Sequence, residues 1–152
     1  MGQAARLARH LEDLRKAVVE AVQAMDEATL NTRPPGLSNS PGILVRHLVG
    51  SERYWIHQVV GGEDVRRNRE AEFDPAVPVR KEEVLQQLEE VARRSRQILE
   101  ALPDTELGQS VEAQAGPRTL TLQKGDAVVR VLVHWAYHQG QLQLLRKLVG
   151  SG

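Results

Sequence analysis

The sequence predicts an all-α fold, a four-helix bundle, and three observations carry that prediction. Four stretches repeat apolar residues at spacings of three and four, no stretch carries a stronger alternating pattern, and proline- or glycine-bearing breaks separate the four. At 152 residues the chain has the length of one domain, long enough to bury a core without disulfides or a structural metal. Residues 1–152 therefore read as a single domain, with no internal repeat or low-complexity tract.

Leu7, Leu11, Leu14, Val18, Val22 and Met25 place one apolar stripe along a first helix from roughly residue 3 to residue 29. Thr32-Arg33-Pro34-Pro35-Gly36 ends it, because two prolines remove amide donors and push the preceding backbone toward extended shapes. Ser40-Pro41 reads as an N-cap followed by proline at the first helical position. The inward row of this second helix is Leu44, His47, Leu48, Ser51, Tyr54, Trp55 and Gln58, closing at Gly61-Gly62.

From Glu63 to Val79 the chain is charged and carries Pro75 and Pro78, which predicts a long surface connection able to cross the bundle. Val84, Leu85, Leu88, Val91, Ala92, Ile98 and Leu99 mark the third helix, with Ser95 the odd polar member of its inner row and Pro103-Asp104 its end. Ser110 to Ala113 and Thr119 to Leu122 flank Ala115-Gly116-Pro117, a pattern compatible with a short hairpin. Asp126 reads as the N-cap of the last helix, whose apolar positions run from Val128 through Trp135 and Leu145 to Gly150.

Composition narrows the function. Lysine and arginine total 20 against 20 aspartate and glutamate, so no basic field draws the chain to nucleic acid. No cysteine is present, which removes disulfide scaffolds, thiolate zinc sites and a cysteine nucleophile. Any thiol chemistry must use a substrate's sulfur. The opening residues mix charges with apolar side chains, unlike a secretion signal, and no later run could span a bilayer. A cytoplasmic protein with no membrane association is the expectation.

His134 and His138 stand four residues apart, and a helix advances about 100 degrees per residue, so they lie one turn apart on nearly one face. Both fall inside the stripe centred on Val131. A single such histidine is most simply a core residue bonded to a carbonyl or carboxylate, the reading given to His10 and His57. The inward His47 changes the balance. Three imidazoles buried together leave ring nitrogens seeking partners, and each unsatisfied polar group costs roughly 1–3 kcal/mol. One divalent metal ion held by His47, His134 and His138 satisfies three nitrogens at once. Gln141, Tyr54 and Glu52 are the candidates to hold the remaining ring nitrogens. Neutral imidazoles suit zinc, nickel, copper and ferrous iron, and three of them leave positions open for water or substrate.

Leu44-Val45-Arg46-His47-Leu48, then Glu52-Arg53-Tyr54-Trp55, and finally His134-Trp135-Ala136-Tyr137-His138-Gln139-Gly140-Gln141-Leu142 resemble the DinB/YfiT-like family. Its members are helical bundles with a histidine on the second helix and an HxxxH pair on the last. The likeness covers nearly the whole chain, and its HQGQL ending and chain order are more specific than HxxxH alone. It implies a metal site at the same three histidines, zinc or nickel as the metal, and a small-molecule substrate. The family includes transferases that join a low-molecular-weight thiol to an electrophile and isomerases that use such a thiol.

The resemblance thus implies a thiol transferase, with glutathione, bacillithiol and mycothiol all open as the thiol. Metal-assisted hydrolysis by a bound hydroxide is the alternative, with Glu52 the nearest candidate for proton transfer. A non-catalytic, stress-associated module that binds metal or a small molecule is a third. Gly140, costing about 0.8–1 kcal/mol inside a helix, reads either as a place where another backbone packs closely or as tolerated flexibility. Apolar helix edges and the family resemblance are compatible with a homodimer.

Overall fold

A computed structural model of the protein describes residues 1–150. It is mostly helical and carries one small two-stranded antiparallel sheet, the hairpin that breaks an otherwise all-α pattern. Helix α1 (Gln3–Ala24) turns Ala4, Ala8, Leu11, Val18 and Val22 inward, at the spacing the stripe predicts. Its first amides donate to a side chain 100 residues away: Gln3 N to Asp104 Oδ2 at 2.9 Å and Ala4 N to Asp104 Oδ1 at 3.2 Å.

The first helix does not run unbroken to residue 29. Met25 is extended, and the Asp26 carboxylate accepts from Thr29 N at 2.7 Å to start a separate turn, α2 (Glu27–Leu30). An aspartate that bonds its own downstream amide offers the backbone an alternative to continuing a helix.

Ser40 caps α3 (Pro41–Glu52) as expected, its Oγ accepting from Ile43 N at 3.2 Å, with Pro41 in the first turn. The chain then continues as a π-helical segment, Arg53–Val60, before stopping at Gly61 and at Gly62, whose φ is +76°. The wider turn alters which residues face inward. Tyr54, Trp55, Ile56, His57, Val59 and Val60 are buried, whereas Gln58, placed inward by a 3.6-residue period, is only half-buried.

Helix α4 (Arg69–Glu72) is a single turn inside the long connection, and α5 (Lys81–Ala101) follows with Val84, Leu88, Val91, Ser95, Ile98 and Leu99 buried. Strands β1 (Ser110–Ala115) and β2 (Arg118–Gln123) pair from Ser110 with Gln123 to Ala115 with Arg118. That register leaves Gly116-Pro117 as a two-residue loop, and Gly116 takes φ +62°, which a glycine at the first loop position adopts freely.

Helix α6 (Lys124–Gly150) leaves β2 directly, so Asp126 lies in its first turn and is not its cap. The opening amides are satisfied by backbone: Lys124 N donates to Gln109 O and Gly125 N to Leu107 O. The four long elements form one core. Helix α1 packs on α5 and α6, and α3 with its π extension packs on the same two. Leu48, Leu88, Leu99, Trp135 and Leu142 are almost fully buried there, and a buried Leu or Phe-sized side chain contributes about 1.5–3 kcal/mol. Among the described residues, no helix is long and apolar enough to cross a membrane.

The core also holds a charge that periodicity did not reveal. Arg15 and Glu52 face each other across α1 and α3 with side chains 6% and 0% exposed, joined by a short hydrogen bond. Arg15 also lies over the Trp135 ring, 5.5 Å from its centroid. Burial pushes the Glu52 carboxyl upward, opposed by the Arg15 charge.

Candidate metal centre

The three histidines meet. His47 from α3 and His134 and His138 from α6 each offer a ring nitrogen, and the three nitrogens lie within 4.8 Å of one another. The Nε2 atoms of His47 and His134 are 2.9 Å apart. Ring centroids are separated by 4.7 Å for His47 and His134, 5.2 Å for His47 and His138, and 4.4 Å for His134 and His138.

Hydrogen bonds fix two of the tautomers. His47 Nδ1 is 2.9 Å from Glu72 Oε1, and since a carboxylate only accepts, Nδ1 carries the hydrogen and Nε2 is left with its lone pair. His138 Nδ1 donates to Gln141 Oε1 at 2.7 Å, leaving Nε2 likewise. The third ring is less well served: His134 Nδ1 is buried with no hydrogen-bond partner. Burial first, then the neighbouring His138 and His47 and the charges of Arg67 and Arg130, pushes its pKa down to about 3, so this imidazole is neutral at pH 7. In their neutral forms the three imidazoles, one ring nitrogen each, make a donor set that fits a borderline divalent cation, zinc and nickel included.

The partner of His47 comes from the connection read as surface. Glu72 is buried and accepts from Arg67 Nε and Nη2, each at 2.7 Å, as well as from His47. Burial pushes its carboxyl up, but the Arg67 hydrogen bonds and His47 outweigh this and hold it below the usual range. The segment is clasped by the residue beside the histidine: Arg46 donates to the carbonyls of Glu72 at 2.8 Å, Asp74 at 2.7 Å and Val77 at 2.9 Å. Phe73 lies against His47, ring centroids 4.5 Å apart.

Gly50, one turn beyond His47, makes room for this arrangement. A Cβ there would stand 2.1 Å from Glu72 Oε2 and 2.5 Å from its Cδ. Gly50→Ala should leave helicity intact or raised, alanine being the better helix former by about 1 kcal/mol, and still weaken metal binding several-fold by displacing the carboxylate. Circular dichroism together with a metal titration checks this, and unchanged affinity would contradict it. Gly140 is different: among the described residues nothing beyond its own helix backbone lies within 4 Å of a Cβ built there, so it has no close neighbour of the kind a helix-interior glycine can accommodate.

Of the three expected partners for the ring nitrogens, only Gln141 has that position. Glu52 is buried in the core and bonds to Arg15, with no hydrogen bond to a ring nitrogen of the cluster among the described residues. Tyr54 accepts from Gln114 N at 2.6 Å, docking the hairpin onto the π-helical segment. His57, set aside in the sequence, bonds through Nε2 to Ser95 Oγ at 3.1 Å, and burial lowers its pKa.

His47 and His134 lie on the wall of a cleft of ≈ 1060 Å³, between α6, the hairpin tip and the connection. Ser51, Trp55, Arg67, Gln114 and Tyr137 also line it. That space admits a drug-sized ligand.

This mostly helical chain brings one histidine of α3 and two of α6 into one cluster at the edge of the cleft, and comparisons with known proteins place it in the DinB superfamily. A conserved protein from Enterococcus faecalis has a similar structure, with TM-score 0.77 and 17% identity over 100% of this chain and 99% of that one. A DinB-like protein from Bacillus subtilis gives TM-score 0.69 and 17% identity over 93% of this chain and 90% of its own. At such identity the likeness establishes the fold. The family model described as mycothiol-S-transferase matches residues 6–150, and the chain belongs to that family. Comparison with curated proteins gave no significant match.

Proposed function

We propose that this chain is a single four-helix-bundle domain acting as a metal-dependent transferase that joins the sulfur of mycothiol to an electrophilic carbon. The observation that carries the reading is the convergence of three imidazole nitrogens within 4.8 Å, two of their rings on the wall of a cleft large enough for both reactants. Family membership supplies the thiol.

His47, His134 and His138 would hold the cation, zinc or nickel. Held by three neutral imidazoles, such a cation would retain its positive charge and would lower the pKa of a bound thiol. The chain does the rest. Glu72 orients the His47 ring and raises its basicity, and Gln141 does the same for His138. Burial keeps His134 unprotonated, so protons do not compete for its lone pair at neutral pH. The hairpin, docked on Tyr54, forms one wall of the cleft and excludes water from that side. In the transfer the thiol gives up its proton to solvent water, its sulfur bonds to the electrophilic carbon, and a leaving group departs with the electron pair of its bond to that carbon. Because the protein has no cysteine, the electrophile meets no competing protein thiol. A cytoplasmic setting suits the reaction, since free thiols stay reduced there.

The test is adduct formation by metal-loaded protein with mycothiol, glutathione and bacillithiol in parallel. Mycothiol should be consumed fastest, and His138→Ala should abolish the metal-dependent rate. Inactivity of metal-loaded wild-type protein across chemically varied electrophiles would overturn the reading.

A further inference from the structure

Arg130 stands one helical turn before His134 on α6, so the two side chains emerge on the same side of that helix, and both line the cleft. Its guanidinium lies 4.8 Å from the centroid of the Trp55 ring. On the connection, Arg69 lines the same cleft, with its guanidinium 5.0 Å from the Phe73 ring centroid, and Phe73 in turn packs against His47. Among the described residues neither guanidinium has an ion-pair or hydrogen-bond partner. Asp126, one turn before Arg130 and on the cleft too, does not pair with it. Arg67, the remaining arginine of the cleft, is already committed to Glu72.

The two free cations are held by stacking. An arginine over an aromatic face keeps its planar edge available, and that edge carries parallel N–H donors matched to a carboxylate. Beside the row of Arg130, His134 and His138 the cleft wall is apolar: Val129, Val133 and Tyr137 follow one another at four-residue spacing and are 46%, 63% and 62% exposed. A ligand suited to this surface has an apolar body and an anionic end.

We infer that Arg130, aided by Arg69, forms a carboxylate-binding subsite, so that the electrophile is an apolar molecule bearing a carboxylate. Its apolar part lies along Val133 and Tyr137, with its reactive carbon toward the histidines. The role given to the ligand as electrophile rests on the transferase reading, whereas the carboxylate subsite itself does not.

Binding of an unreactive matched pair, 4-methylbenzoate and 4-methylbenzamide, to chelator-treated full-length protein tests the subsite by calorimetry without metal or turnover. Wild-type protein should prefer the carboxylate by about tenfold, the range of one charge-assisted hydrogen-bonded pair. Arg130→Gln should erase most of that preference, Arg69→Gln part of it, and both should leave amide binding unchanged. Arg93→Gln, on the exposed face of α5, should retain the preference. Equal binding of the two ligands by wild-type protein, or a preference that survives Arg130→Gln combined with Arg69→Gln, would overturn the inference. With metal and mycothiol present, 4-(chloromethyl)benzoate should then show a lower KM than 4-(chloromethyl)benzamide. Carboxylate binding by a protein inactive with every thiol would sink the transferase and leave the subsite standing. Turnover with no charge preference would sink the subsite alone.

Discussion

Glu52→Gln or Arg15→Leu should lower the stability of the protein by about 3–5 kcal/mol, the cost of leaving one member of a buried ion pair uncompensated. Both side chains are removed from water and joined by a short hydrogen bond, with Glu52 fully enclosed. The pair is not optimally satisfied even when intact. Arg15 Nε, Glu52 Oε2 and the Trp135 indole nitrogen are buried without hydrogen-bond partners. Replacing both charges together, as Arg15→Met with Glu52→Leu, should therefore recover most of the loss, because it removes the desolvation cost along with the attraction. Urea denaturation of the two single variants and the double variant reads this out. A loss under about 1 kcal/mol for Glu52→Gln would show that the pair is exposed to solvent, in the range of surface ion pairs.

Glu72→Ala should weaken binding of a divalent cation by about 10- to 100-fold, the range seen when a carboxylate behind a ligating histidine is removed. The change strips His47 Nδ1 of its acceptor and frees the Arg67 guanidinium beside the cluster, so a ligand ring loses its orientation and gains a nearby positive charge. Glu72→Gln should fall between, since an amide oxygen still accepts from Nδ1 without the negative charge. Competition against a chromogenic chelator measures the affinities. Wild-type affinity in Glu72→Ala would mean that the carboxylate only anchors the connection.

The long helices and each half of the histidine cluster were legible from local spacing, while the joining of His47 to a pair 87 residues further on rested on the bundle fold and the family resemblance. The i, i+4 spacing of His134 and His138 needs only helical geometry, and His47 falls in a row defined by Leu44, Leu48 and Ser51. The π-helical segment was not legible. Trp55-Ile56 and Val59-Val60 supply apolar residues that satisfy more than one period, so the pattern does not tell a wider turn from an α-helical one.

The burial of Arg15 was not legible because its partner is 37 residues away. Glu72 and Arg67 were hidden for a related reason. They sit in a charged connection whose path is set by Arg46 holding three carbonyls, a tertiary fact with no local signature. One local signal did exist. Gly50 is a helix-interior glycine one turn from His47, and the reasoning applied to Gly140, that such a glycine marks a close approach, holds at Gly50.

The central claim is that the three imidazoles grip one cation. Elemental analysis of protein purified without an affinity tag, then loaded with zinc or nickel and desalted, tests it directly. Wild-type protein should retain one divalent ion per chain, and the His47→Ala, His134→Ala, His138→Ala triple variant, still helical by circular dichroism, should retain none. Equal metal content in the two proteins, or a wild-type chain that keeps no metal after loading, would contradict the account.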